Sequence, residues 1–507
     1  MTAAAPRASL RRPLALLVLA AALPCVVLAA LRSLDVPLGK PGKFTYLYSP
    51  LLAERIQALL GGVAATAVCT AGVWYLGADT TRRRRLGGWL SGGGASALAV
   101  WSFVAPPAFR SQHVFNATSP SHDGAFLTEA EFARNVGWLR YLRDFEQRTR
   151  TPREVMRGTR VLSNPPGATI LAGLAIAITE SPALFEVAYR VLVREPGQPE
   201  LRGTERILPT RAMVYSLLLW GLWVGSAPLW YLLAREALSP AGAAALMLAC
   251  VFSMATLTFS PGKDPAQLLT AAIPLYCWRR AASGGAGWAL VAGAAFAASC
   301  LFSLVHIWIG AAVLAATVVA TPVREIAKLA LWRILPLIVG AAAGFACAAL
   351  AGFNALAALP AVAAAQALVT RGPDAMPLFW QLLGLPLFLL FCGAPVWLAL
   401  AGPVAQGAGA DRRFGIGLLV ATAIIALATV GYTNAETPRL WIPFAALLLL
   451  GAAHAGGSAW WSDRRALAAT LAAAHLFGSL AQWAMMDMRE AENRLVVVEG
   501  GSPRFFE

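Results

Sequence analysis

Apolar stretches of about 17–23 residues, each long enough to cross a hydrocarbon core, recur along this chain with short polar segments between them. They fall near residues 13–31, 56–77, 87–106, 212–234, 241–258, 265–278, 287–303, 307–321, 334–353, 378–401, 414–431, 440–456 and 466–484. The pattern breaks over 107–166, a long polar loop. Inside it Phe132, Val136, Leu139, Leu142 and Phe145 keep helical spacing, with Arg134, Arg140, Arg143 and Asp144 off that stripe. This predicts an amphipathic helix on the membrane surface with its arginines near the headgroups. Thr128-Glu129-Ala130-Glu131 has capping-box spacing, so Thr128 is expected at the N-cap. Ser163-Asn164-Pro165-Pro166-Gly167 predicts a rigid break where the loop re-enters the apolar region.

Composition agrees with that pattern. Hydrophobic residues make up 58% of the 507 and charged residues 13%, against about 25% charged in soluble domains. The expected fold class is therefore an all-α polytopic membrane protein, a single integral domain over 1–507 with a partly helical external loop at 107–166. The formal charge of +15 does not point to nucleic acid, because the positives sit in short clusters between apolar runs, where they orient a polytopic chain. The seven cysteines lie singly in apolar runs and read as packing residues. Arg7, Arg11 and Arg12 precede the first apolar run, which is expected to stay as an uncleaved first helix. The Ala/Arg/Gly/Leu bias suggests a high-GC bacterium, so the expected location is the bacterial inner membrane.

The clusters Arg82–Arg85, Arg279/Arg280, Arg324/Lys328/Arg333, Arg412/Arg413 and Arg464/Arg465 all reach the cytoplasm only if 167–183 does not cross once. A re-entrant segment, or a short hairpin with 184–194, satisfies them. That reading gives about thirteen crossings, a cytoplasmic N-terminus and an external C-terminus. It gathers the 107–166 loop, Lys263, Asp264, His306, the 354–377 loop, Glu436 and Arg439 on one external face.

Several of these residues carry chemistry, each with a plainer reading beside it. Asp123, in Ser121-His122-Asp123-Gly124, suits a general base or a divalent-cation ligand, and equally a turn aspartate. His122 suits a ligand position or a solvated loop; His113 reads the same way. Glu129 and Glu131 serve a helix N-terminus by capping and the macrodipole, although Glu129 also lies within reach of a substrate in this loop. Asn164 fixes the break or touches ligand. Lys263 and Asp264, in Ser260-Pro261-Gly262-Lys263-Asp264-Pro265, form either a turn-internal ion pair or a site at a depth where charge is expensive. His306 reads as a structural histidine on the site's face. Arg439 suits a lipid phosphate by its fork geometry, or pairs with Glu436 as a helix cap.

The order of these features resembles the GT-C superfamily of integral-membrane glycosyltransferases, in particular protein mannosyltransferases and lipid A aminoarabinose transferases that use polyprenyl-phosphate sugars. The likeness rests on the acidic first loop, Asn164-Pro165-Pro166 followed by Arg190, Asp264 opening a helix, and Glu436, Arg439, Trp441 and Pro443. It departs where two additional helices, 56–77 and 87–106, precede the acidic loop, and where asparagine stands in place of the histidine common before the paired prolines. The resemblance implies inverting sugar transfer from a polyprenyl-phosphate donor to a cell-envelope acceptor on the periplasmic side. Asp123 would be the catalytic base or metal-site carboxylate and Asp264 the second acidic position. Arg439 and Lys263 would bind the lipid phosphate, with His122, Glu129, Asn164, His306 and Glu436 lining the substrate. A divalent cation, Mg or Mn, is the implied cofactor class. The partners implied are the lipid-linked donor and membrane lipids, with no nucleic acid; oligomeric state stays open. A transporter or lipid-linked-sugar flippase, and an envelope polymer ligase or assembly subunit, are the competing readings.

Overall fold

The computed structural model describes residues 11–36, 38–40, 44–48, 52–106, 109–118, 124–152, 160–194, 200–370, 377–393, 410–433, 437–456, 465–487, 496–499 and 502–505. Helix dominates them. Before the polar loop come α1 (Arg11–Ser33), α2 (Leu52–Leu76) and α3 (Thr81–Val104). Within the loop are α4 (Phe109–Thr118), α5 (Gly124–Val136), α6 (Trp138–Arg143) and α7 (Phe145–Arg150). Next come α8 (Gly167–Glu180), α9 (Pro182–Ala188), α10 (Ile207–Gly225) and α11 (Ala227–Arg235). The middle of the chain supplies α12 (Pro240–Val251), α13 (Met254–Phe259), α14 (Lys263–Gly284), α15 (Ala286–Phe302) and α16 (Val305–Ala320). Then follow α17 (Ile326–Leu329), α18 (Leu335–Leu350), α19 (Ala355–Thr370) and α20 (Pro377–Cys392). The last four are α21 (Ala410–Thr433), α22 (Thr437–Leu440), α23 (Ile442–Gly456) and α24 (Arg465–Met485).

Among the described residues four helical stretches, Leu52–Leu76, Gly203–Arg235, Val323–Leu350 and Ala410–Thr429, are long and apolar enough to cross a membrane. Residues Gly167–Glu180 and Pro182–Val193 qualify only as a pair bent by 104°, either a broken span or a re-entrant segment. Other apolar helices are shorter, Pro240–Val251 and Val305–Ala320 among them.

Four expectations need correction. The run expected as one span over 241–258 is two helices, since Ser253 accepts from the Thr256 amide and starts α13 afresh. The surface helix expected from Thr128 begins at Gly124, so Thr128 lies inside α5 and caps nothing. That helix stops at Gly137, whose φ of 89° is left-handed, and the chain continues as α6 and α7. Instead of lying free on a surface, Tyr141, Leu142 and Phe145 pack on Phe353, Ala358 and Val362, and residues 355–370 of the segment expected as a 354–377 loop form the helix α19.

The helical expectation also left out short strands. β1 (Leu38–Lys40) pairs antiparallel with β2 (Phe44–Tyr48), Leu38 facing Tyr46. β2 then pairs with β3 (Met486–Asp487), Tyr48 facing Met486, so the segment after α1 is tied to the end of α24. β4 (Val496–Glu499) and β5 (Ser502–Phe505) form a separate antiparallel pair.

One apolar cluster unites α2, α3, α12, α23 and α24. A second joins Phe126 and Ala130 of α5, Ala172 and Ile176 of α8, Tyr215 of α10 and Ala266 of α14. This second cluster positions the site, because it fixes the loop helices against the start of α14.

Candidate functional site

The first turn of α14 carries Lys263 and Asp264, each only 1% exposed. Two charges at that depth must be paired and hydrogen-bonded to be tolerated. The pairing comes from far along the chain. Arg160 donates from Nη2 to Asp264 Oδ2 at 2.6 Å, and Arg439 Nε stands 3.2 Å from the same oxygen. The other carboxylate oxygen, Oδ1, accepts from Gln267 Nε2 at 2.7 Å, one turn further along α14. Lys263 donates to Asn164 Oδ1, and its Nζ lies 6.0 Å from the Phe126 ring centroid, within range of a cation–π contact.

Three local structures deliver these groups. Arg160 and Asn164 share one tight turn, with Asn164 Nδ2 donating to the Arg160 carbonyl at 2.7 Å and Ser163 Oγ to the same oxygen at 3.3 Å. Gly167 then lets α8 start hard against the end of α15: a Cβ there would come within 2.5 Å of the Leu301 carbonyl. Arg439 rides on α22, which packs against α13, α14 and α20. Asp264 sits in the first turn of a helix, where the macrodipole favours a carboxylate.

His306 lies one shell behind. Its Nδ1 is 2.9 Å from the Ser303 carbonyl and its Nε2 2.9 Å from Thr270 Oγ1, so both ring nitrogens are engaged in structure, with Nδ1 as the donor tautomer. Glu129 does not join the cluster: 2% exposed within α5, it is ion-paired to Arg148. The Arg148 guanidinium stacks 4.2 Å from the Phe132 ring centroid. Glu131 pairs with Arg211 at 2.8 Å. Neither glutamate serves a helix N-terminus, because the helix starts earlier than their spacing suggests. His113 is fully buried, with Nε2 donating to the Phe103 carbonyl at 2.7 Å, and burial pushes its pKa down to about 4. Asp123, His122 and Glu436 lie outside the described residues.

The structure thus brings together Asn164, Lys263, Asp264 and Arg439, and adds Arg160 and Gln267, which the sequence reading passed over. The available signal for Arg160 was its place four residues before Asn164, where a turn would set the two side by side. Two guanidiniums and an ammonium around one carboxylate suit an anion with several oxygens, such as a phosphate. A divalent cation fits poorly against Asp264, since the cations already there would repel it. Among the described residues no three His, Cys, Asp or Glu side chains come together. No protein-family model matches this chain, and no curated protein does.

Proposed function

We propose that this chain is an integral-membrane glycosyltransferase of GT-C type, with about thirteen crossings. It would move a sugar from a polyprenyl-phosphate donor to a cell-envelope acceptor at the outer face of a bacterial inner membrane. The reading is carried by one observation: Arg160, Lys263 and Arg439, far apart in sequence, meet at the buried Asp264. Guanidinium forks and an ammonium stabilise the phosphate that leaves as the C1–O bond to the donor breaks. Asp264 and Asn164 hold those cations in place. Asp264 is a positioning group in this scheme and not a base, since both its oxygens are occupied.

The proton is assigned to Asp123. As the acceptor hydroxyl attacks the opposite face of C1, its proton passes to that carboxylate, the donor phosphate leaves as an anion, and the anomeric configuration inverts. The assignment rests on the sequence, supported by α5, which starts at the next residue and brings Phe126 to within 6.0 Å of Lys263 Nζ.

The decisive experiment uses the whole protein in nanodiscs with radiolabelled polyprenyl-phosphate sugars and envelope extract as acceptor. Label should move to acceptor, and Asp123→Asn should slow transfer by about 10²–10⁴-fold while leaving donor binding intact. Full activity in Asp123→Asn removes it from the mechanism. Chelation of divalent cations in the same assay tests the Mg or Mn expectation.

Two features favour a transporter or flippase as the runner-up: the 104° bend between α8 and α9, and the breaks on either side of α13 before a buried ion cluster. Broken helices beside buried charge are what such proteins use. Donor crossing the bilayer without label transfer would decide for that reading.

A further inference from the structure

Away from the charged cluster, α1 and α2 pack on two sides of α24 and leave a groove of about 810 Å³ between them. Ala22 and Cys25 of α1 form one wall, Trp74 of α2 the other, and Ala469, Ala473 and Gly478 of α24 the floor. One end of this groove is basic. The Arg465 guanidinium lies 4.9 Å from the Trp74 ring centroid, at the start of α24. Cys25 and Arg32 of α1 contact the Gly478 and Met485 carbonyls in matching order, so α1 runs parallel to α24 and begins at that same end. Arg82, Arg83 and Arg85 open α3, which follows the end of α2; they are exposed and form no ion pair among the described residues.

We propose that this groove is a binding site for an anionic phospholipid, with hydrocarbon chains along α24 and the headgroup phosphate at Arg465 and the neighbouring arginines. From Ala466 to Gly478 the floor runs about 18 Å at 1.5 Å per residue, enough for a hydrocarbon chain that fills one leaflet, half of a core about 30 Å thick. A basic pocket between membrane helices recognises anionic headgroups by charge and by guanidinium–phosphate geometry. The site is independent of the glycosyltransferase reading.

Native mass spectrometry on the delipidated full-length protein, titrated with phosphatidylglycerol or phosphatidylcholine, tests it. Phosphatidylglycerol should be retained in preference. Arg465→Gln, an exposed change that leaves the fold intact, should weaken phosphatidylglycerol about fivefold and phosphatidylcholine hardly at all. Ala473→Leu, which fills the floor, should lower retention of both lipids; its unfolding temperature without lipid separates filling from misfolding. A photoactivatable phosphatidylglycerol should label peptides from α1 and α24. Equal retention of the two lipids by wild type and Arg465→Gln overturns the proposal. So does labelling elsewhere, or a second protein chain cross-linked through Cys25 in place of lipid.

Discussion

Asp264 is placed so that each of its neighbours depends on it: Arg160 and Arg439 share one of its oxygens and Gln267 holds the other. Removing one partner from a buried ion cluster costs about 3–5 kcal/mol, so Asp264→Asn should lower the unfolding temperature and abolish donor binding together. Arg439→Ala separates the two roles, because Asp264 keeps Arg160. Donor affinity should fall about tenfold to a hundredfold, the equivalent of about 1.5–3 kcal/mol for hydrogen bonds to a charged group. Unchanged affinity in binding titrations, with only the melting temperature reduced, would make Arg439 a structural residue. His113 offers a test by pH. Its folded pKa of about 4 lies below the ordinary 6.5, so between those values the unfolded chain binds a proton that the folded one refuses. Stability is full above pH 6.5 and should decline by about 3 kcal/mol as pH falls toward 4. His113→Gln, which keeps a donor for the Phe103 carbonyl, should flatten that decline in thermal unfolding; equal slopes in both proteins remove His113 as the cause. Lys263, Asp264 and Arg439 were legible because charge amid apolar sequence is conspicuous. Arg160 was not: it is one arginine among many in a polar loop, and only its contact with a residue 104 positions away singles it out.

Whole helices were easier to read than their ends. The length of the apolar runs located α2, α3, α21 and α24 well, and the run over 212–234 covers α10 and α11 together. The loop helices were misplaced because capping spacing is a local signal that tertiary packing can override. Gly124 through Leu127 enter α5 since Phe126 and Leu127 bury in the cluster with α8 and α10, which puts Thr128 in mid-helix. Two glycines in this region act in different ways and give different expectations. Gly137 has a φ of 89° and a ψ of 129°, with nothing within 4 Å of an added Cβ, so Gly137→Ala should cost only the backbone penalty of that glycine-favouring region, about 1–3 kcal/mol. Gly167 has an ordinary φ but no room, with Leu301 O at 2.5 Å and Phe302 Cα at 2.8 Å. Gly167→Ala must therefore shift the start of α8 and the turn bearing Arg160 and Asn164. Donor binding should drop in Gly167→Ala and persist in Gly137→Ala, measured side by side in the same nanodisc preparation. Loss of binding in both would indicate that the whole loop, rather than its final turn, sets the site.

At the scale of the molecule, α14 relates the two ends of the fold. Its first turn holds Lys263 and Asp264; near its other end Arg279 reaches Glu236 at 2.6 Å and Asp411 at 3.1 Å, joining α14 to the end of α11 and the start of α21. From 264 to 279 a helix rises about 22 Å, most of the thickness of a hydrocarbon core of about 30 Å. In the proposed topology two ion clusters so separated along one apolar helix fall on opposite sides of the membrane, with the Arg279 end on the cytoplasmic side that the arginine clusters require. The bent pair α8–α9 is what keeps that assignment consistent, since a single straight crossing there would invert every later cluster. Reporter fusions ending after Arg85, Arg280 and Arg413 should therefore read as cytoplasmic. In a variant lacking the native cysteines, single cysteines at the exposed positions Gln147 and Leu356 should react with an impermeant reagent added from outside. An external reading at Arg280 would mean that α8–α9 crosses once, and it would put the 107–166 loop and the Asp264 cluster on opposite faces. The two cannot then form one site, and the buried contact between Arg160 and Asp264 would have to be disproved as well, by a double-mutant cycle of Arg160→Ala and Asp264→Asn that shows no coupling in thermal unfolding.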